Sequence, residues 1–140
     1  EDTKNTVDYL QTRVSQQVNF NFEAPQHPIL VEINPALHSW TIENLVKNAI
    51  DAMKGKGSLN IGISELEDIV KISITDSGKG IPKNQFTKVF EPGFTTKKRG
   101  WGLGLSLTKR IVQEYHKGKI KVAHSEIGKG TTMQISYKTA

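Results

Sequence analysis

The sequence predicts an α/β fold, a two-layer sandwich in which a mixed β-sheet has one face covered by helices. Three observations lead there. Six short runs alternate apolar with polar residues, which is the period of a strand buried on one face only. Two longer segments carry apolar residues at helical spacing and can cover that face. The chain has 140 residues and a mass of 15.6 kDa, which suits a single hydrophobic core. Residues 1–140 therefore read as one domain.

The elements follow in order. Val7, Leu10 and Val14 recur at helical spacing and suggest a short amphipathic helix from about Thr3 to Val14. The alternating runs are Val18, Phe20, Phe22; Ile29, Val31, Ile33; Leu59, Ile61, Ile63; Val70, Ile72, Ile74; Ile120, Val122; and Met133, Ile135, Tyr137. Their opposite positions, such as Lys71, Ser73 and Thr75, are polar, so the second face of the sheet should be wet. Asn34 and Pro35 form a cap and first-turn pair that opens a helix running to about Met53, where Gly55 and Gly57 stop it. A second long helix is predicted from about Leu103 to His116, with Leu103, Leu107, Ile111 and Tyr115 on its apolar stripe. Before it, Glu91 to Gly102 forms a long glycine-containing loop.

Composition narrows the function. With 36% hydrophobic and 24% charged residues the chain is neither a disordered tail nor a membrane protein. No apolar run approaches the roughly 18 residues needed to cross a bilayer, and the polar start Glu1 to Asn5 does not resemble a signal peptide. No membrane segment is expected in this chain. There are no cysteines, which removes disulfides, thiolate metal sites and cysteine nucleophiles and fits a cytoplasmic location. The net charge of +5, from 19 basic and 14 acidic residues, suits any polyanion, a nucleotide phosphate included. Lysines scattered along alternating strand positions and only 7% aromatic residues offer no base-stacking surface, so nucleic acid is not an expected partner.

Four clusters carry chemistry. Asn44, Asn48 and Asp51, spaced by four and three, share one stripe of the first long helix beside Leu45, Ala49 and Ala52. Amide and carboxylate oxygens are hard ligands of the kind magnesium prefers, although the same spacing describes a solvated helix face. Asp76 continues the parity of Val70, Ile72 and Ile74, so its carboxylate points to the core side. Burying it there is costly unless a donor such as an adenine amino group faces it. The alternative is a strand that ends in an Asp-Gly-type turn. Gly78 and Gly80 follow in Asp76-Ser77-Gly78-Lys79-Gly80-Ile81-Pro82 and allow tight turns or close approach to a ligand. Gly100-Trp101-Gly102-Leu103-Gly104-Leu105 stands where the long loop enters the second helix, a place suited to phosphate, with Lys97, Lys98 and Arg99 just upstream. Read blandly, these three are a solvated basic loop. Finally, Gly128-Lys129-Gly130-Thr131 precedes the last strand, and Thr131 shares the inward parity of Met133, Ile135 and Tyr137. It is either a strand threonine after a hairpin turn or a second reader of a buried base.

Taken in this order, over about Leu30 to Tyr137, the motifs resemble the catalytic domain of sensor histidine kinases, within the GHKL superfamily that also holds gyrase, Hsp90-type chaperones and MutL-type ATPases. Glu43 to Ala52 resembles the asparagine motif, Asp76 to Gly80 the first glycine motif, and Phe86 to Phe94 the phenylalanine motif before the mobile lid. Thr95, Thr96 and Lys97 with the Gly100 to Leu105 cluster resemble the lid itself, and Gly128 to Thr131 the final glycine motif. The resemblance implies ATP and Mg²⁺ as cofactors. It assigns the metal to Asn48 and Asn44, adenine to Asp76, Gly78, Gly80, Ile81 and Thr131, and further nucleotide contacts to Asp51 and Ala52. It assigns the phosphates to Thr95, Thr96, Lys97, Gly100, Trp101, Gly102, Leu103, Gly104 and Leu105. Where Asp51 stands, many such kinases place a lysine, so Lys97 and Arg99 are the candidate cations for transferred charge, with Glu43 a candidate acid or base.

The family's phosphoacceptor is a histidine followed by an acidic residue in a helical dimerisation domain. Here His27, His38, His116 and His124 precede Pro28, Ser39, Lys117 and Ser125; all four read as surface or packing histidines. The resemblance thus implies transfer of the ATP γ-phosphate to a histidine on a separate dimerisation and phosphoacceptor domain, with a response regulator downstream. Residues 1–28 would include the end of a linker from that domain, and this fragment alone would be monomeric and cytoplasmic, as a free protein or as the inner part of a membrane-bound sensor. A nucleotide-clamp ATPase of the same superfamily is the rival, but it would place a glutamate where Asn44 stands. A degenerate binding module would not need inward Asp76 and Thr131, and a serine kinase of the anti-sigma type would not need the phenylalanine motif.

Overall fold

In the computed structural model, which describes residues 2–11, 18–26, 29, 31, 33–91 and 104–139, the chain opens with α1 (Asp2–Gln11), β1 (Val18–Glu23), α2 (Pro35–Ala52), β2 (Gly57–Leu66) and β3 (Ile69–Asp76). Two single 3₁₀ turns, Lys83–Gln85 and Lys88–Phe90, come next. The chain then forms α3 (Gly104–Arg110), a π-helical turn (Ile111–Tyr115), β4 (Lys119–Glu126) and β5 (Gly130–Lys138). The sheet has five strands in the order β1-β2-β3-β5-β4, with β1 and β2 parallel and every other pair antiparallel. A parallel pair needs a crossover, and α2 supplies it between β1 and β2. The predicted mixed sheet and covering helices are observed.

Helix α2 begins as its sequence requires. The Asn34 side chain accepts a hydrogen bond from the Leu37 backbone N–H at 3.1 Å, with Pro35 in the first turn. Its buried face, Ile42, Leu45, Val46 and Ala49, belongs to the same core as Leu59, Ile61, Ile72, Ile74 and Ile135 of the sheet. Each of these core residues is at most 5% exposed. Polar residues fill the opposite face of the sheet, where Thr75 and Thr132 hydrogen-bond across β3 and β5 at 2.9 Å.

Two expectations are corrected. Ile29, Val31 and Ile33 form no strand in the described residues, and they pack half-buried against the core instead. Alternation reports which side of a segment faces the core; it does not report whether a partner strand lies beside it. The stripe predicted for the second long helix is also rotated. Leu107 and Tyr115 are 42% and 62% exposed, while Thr108, Ile111, Val112 and His116 are buried. The π-helical turn widens the helix, with the His116 N–H reaching the Ile111 carbonyl at 3.0 Å; of the predicted stripe Ile111 stays inside, joined by Val112 and by the polar Thr108 and His116. In α1, Val7 is 2% exposed as its spacing predicts; Val14, the Leu10 side chain and Leu103 lie outside the described residues.

Candidate nucleotide-binding site

The register of the sheet builds one end of the site. Leu59 pairs with Asp76 and Asp76 with Thr131, so the last residue of β3 lies between two core strands. Its side chain faces inward and is 7% exposed. Burial raises the pKa of the carboxyl, partly offset by hydrogen bonds from the backbone N–H groups of Gly78, at 2.8 Å, and Thr131. A carboxylate offers about four acceptor positions, so these two donors hold it in place and leave acceptor capacity for a ligand. The Gly78 donor is the one that the Asp-Gly-type turn considered in the sequence would supply; the Thr131 donor, from the neighbouring strand, was not anticipated.

The glycines bring three segments together. At Gly78 a Cβ would come within 2.6 Å of the Ala52 carbonyl carbon and oxygen, and the next N–H, that of Lys79, donates to the same carbonyl at 3.1 Å. The turn after β3 thus lies on the C-terminal end of α2. Gly80, with φ +81°, packs its Cα against the Glu126 carbonyl, a position closed to other residues by both backbone conformation and space. The Gly128 N–H donates to the Lys79 carbonyl at 2.9 Å, and Gly130 packs its Cα against the Asp76 carbonyl. Contact between backbones is the reason Gly78, Gly80 and Gly130 carry no side chain, whereas Gly128 has open space and a φ of +80°.

Ser125 is the hub of this arrangement and was missed in the sequence. Its Oγ accepts from the Ile81 N–H at 2.7 Å, donates to the Gly130 carbonyl at 3.1 Å and lies 2.7 Å from the Thr131 hydroxyl. A hydroxyl has one proton; with that of Ser125 directed to Gly130, Thr131 donates to Ser125 and keeps its own lone pairs for the site. Only the pairing of Ser125 with Thr131 across β4 and β5 identifies it. Ser125→Ala leaves the Ile81 N–H without its partner and is expected to cost about 1–3 kcal/mol of stability. A fall in thermal midpoint, with the isosteric Ser125→Cys recovering part of it, checks this.

The asparagine stripe forms the other side. Asn44 and Asn48 are half-buried on α2, and Asp51 is exposed at its end. The Asn44 Nδ2 donates to the Thr108 hydroxyl of α3 at 2.8 Å, and a Cβ on Gly104 would sit 3.2 Å from the Asn44 Oδ1. Residue 104, the first described after the lid segment, therefore touches the stripe. Glu43 pairs with Lys47 at 2.9 Å on a more exposed part of the helix. Leu105 packs against the core, and the phenylalanine motif reaches α3 through Lys109, whose ammonium lies 5.7 Å from the Phe90 ring centre. The calls on Thr95, Thr96, Lys97, Arg99, Gly100, Trp101, Gly102 and Leu103 fall outside the described residues. Among the described residues no group of three or more His, Cys, Asp or Glu gathers to hold a metal, and no helix is long and apolar enough to cross a membrane.

Known proteins resemble this chain in sequence and share its fold. The sensor histidine kinase ZraS of Escherichia coli K12 is 40% identical over 121 residues, which are 86% of this chain and 26% of ZraS. The chain thus spans about a quarter of that relative's length. The solved catalytic domain of the histidine kinase ThkA superposes with a TM-score of 0.86 at 28% identity, covering 98% of this chain and 90% of that one. ThkA in complex with the response regulator protein TrrA gives a TM-score of 0.85 at 26% identity, over 99% of this chain and 40% of that one. A family profile described as histidine kinase-, DNA gyrase B- and HSP90-like ATPase matches residues 36–140, from α2 with its two asparagines through Asp76 to the last strand, and the chain belongs to that family.

Proposed function

We propose that this chain is the ATP-binding catalytic part of a sensor histidine kinase, which transfers the γ-phosphate of ATP to a histidine on a separate dimerisation and phosphoacceptor domain. The observation that carries the reading is the buried Asp76 carboxylate, 7% exposed and steadied by backbone donors at the open end of the sheet. Such a group reads a hydrogen-bond donor on a flat, largely apolar guest, and the adenine amino group is one. Thr131 adds an acceptor beside it, and Ile81 adds apolar surface.

Magnesium fits the same site. The polar stripe offers the amide oxygens of Asn44 and Asn48, hard ligands suited to an ion that keeps waters and binds phosphate oxygens. When bound, it would neutralise charge on the phosphates. The chain's own contribution is positioning: the base held at Asp76, the phosphate tail directed along α2 toward Gly104, and the γ-phosphate presented outward. A neutral imidazole nitrogen has its own lone pair for attack, so little covalent help is needed. The response regulator complex of ThkA supports a response regulator as downstream partner, and the chain alone is read as a cytoplasmic monomer.

The test mixes the chain with γ-labelled ATP, Mg²⁺ and a separate histidine domain. Acid-labile label should appear on the histidine domain, and Asn48→Ala should lower its rate at least a hundredfold, as expected when about 3 kcal/mol of transition-state stabilisation is lost. Label that accumulates equally fast with Asn48→Ala would sink the assignment.

A further inference from the structure

The Asn44 amide is held in one orientation by α3. Thr108 is completely buried, and its hydroxyl donates to the Gly104 carbonyl one turn back at 2.7 Å. That single proton is then spent, so toward Asn44 the Thr108 oxygen can only accept. It lies 2.8 Å from Nδ2, which fixes the amide with its NH₂ on the Thr108 hydroxyl and its carbonyl oxygen directed away from that hydroxyl. Gly104 closes the other flank: even a methyl group there would crowd the Asn44 Oδ1 and Nδ2 at 3.2 and 3.3 Å.

We propose that Thr108 is a positioning residue for divalent-cation binding: it sets the flip state of the Asn44 amide so that an oxygen, not an NH₂, is offered to magnesium on the phosphate tail. This rests on the nucleotide-site reading above. Without the Thr108 acceptor the half-buried NH₂ loses its partner and the amide is free to turn for another, which puts the nitrogen, repelling a cation, where the oxygen was. Thr108 touches neither nucleotide nor metal; it acts through Asn44. It also ties the cation to α3, so the helix that follows the lid segment and the helix that carries the amides must be in register for Mg²⁺ to bind.

The experiment is calorimetric titration of ATP with excess Mg²⁺ and, separately, with EDTA, on the wild type and on Thr108→Val, Thr108→Ala and Thr108→Ser, each shown to unfold cooperatively. Thr108→Val and Thr108→Ala should weaken Mg²⁺-ATP binding by roughly three- to tenfold, the scale of one side-chain hydrogen bond, and leave the EDTA value unchanged. Thr108→Ser keeps the hydroxyl and should restore wild-type affinity. An equal loss in both arms, no loss in either, or a serine variant as weak as alanine would overturn the proposal. Failure of the nucleotide-site reading looks different: the wild type itself would bind no ATP, or bind it equally well with Mg²⁺ and EDTA.

Discussion

Asp76→Asn is expected to weaken ATP binding by a hundredfold or more while the chain stays folded. The two backbone donors at this residue decide the outcome. The N–H groups of Gly78 and Thr131 point at the carboxylate, so an asparagine would turn its carbonyl oxygen to them and its NH₂ to the site. The adenine amino group would then meet a donor in a buried place, losing a charge-assisted bond and gaining a repulsion, together about 3 kcal/mol or more. The fold loses little, because replacing a charge whose burial is unfavourable with a neutral amide of equal size removes a desolvation penalty. Burial raises the Asp76 pKa, so the wild type should lose affinity on acidification at a higher pH than an exposed aspartate would require. Calorimetry across pH on both proteins checks the two statements together; a variant that binds ATP within threefold of wild type refutes the assignment of Asp76.

How much of this was legible in the sequence depends on what a pattern encodes. Parity along a strand reports side-chain direction, and it placed Asp76 and Thr131 inward, where both are found 7% and 5% exposed. Cap chemistry is local, and Asn34 with Pro35 marked the start of α2 correctly. Long-range pairing is not encoded by either signal. Ser125 is 44 residues from Ile81 in sequence, and Thr108 is 64 from Asn44; neither partnership shows until β4 lies beside β5 and α3 beside α2. The helix stripe failed for a related reason. Leucine and tyrosine were read as inward because they are apolar, yet the hydroxyl of Thr108 and the ring of His116 occupy the inner positions because each finds a hydrogen-bond partner there.

Acidification should destabilise the fold through His38. This side chain is 2% exposed. One ring nitrogen lies 2.7 Å from the Thr3 hydroxyl, and Nδ1 has no hydrogen-bond partner among the described residues. Burial, reinforced by neighbouring His116 and opposed by Asp2, lowers its pKa from 6.5 to about 4. The unfolded chain therefore takes up this proton more readily than the native one. Stability is complete above pH 6.5 and falls as the pH drops toward 4, by an amount on the order of 3 kcal/mol. His116 acts in the same direction, since burial lowers its pKa too and its Nε2 accepts the Asn34 N–H at 3.1 Å at the cap of α2. Asp76 acts in the opposite direction, because a raised native pKa favours the protonated fold. The His38 contribution is isolated by comparing urea midpoints of the wild type with those of His38→Leu at several pH values. The variant should show a markedly flatter profile between pH 6.5 and 4, although it forfeits the bond to Thr3 at neutral pH. Parallel profiles for the two proteins would mean that the imidazole is already charged in the native state, and that the core accommodates it.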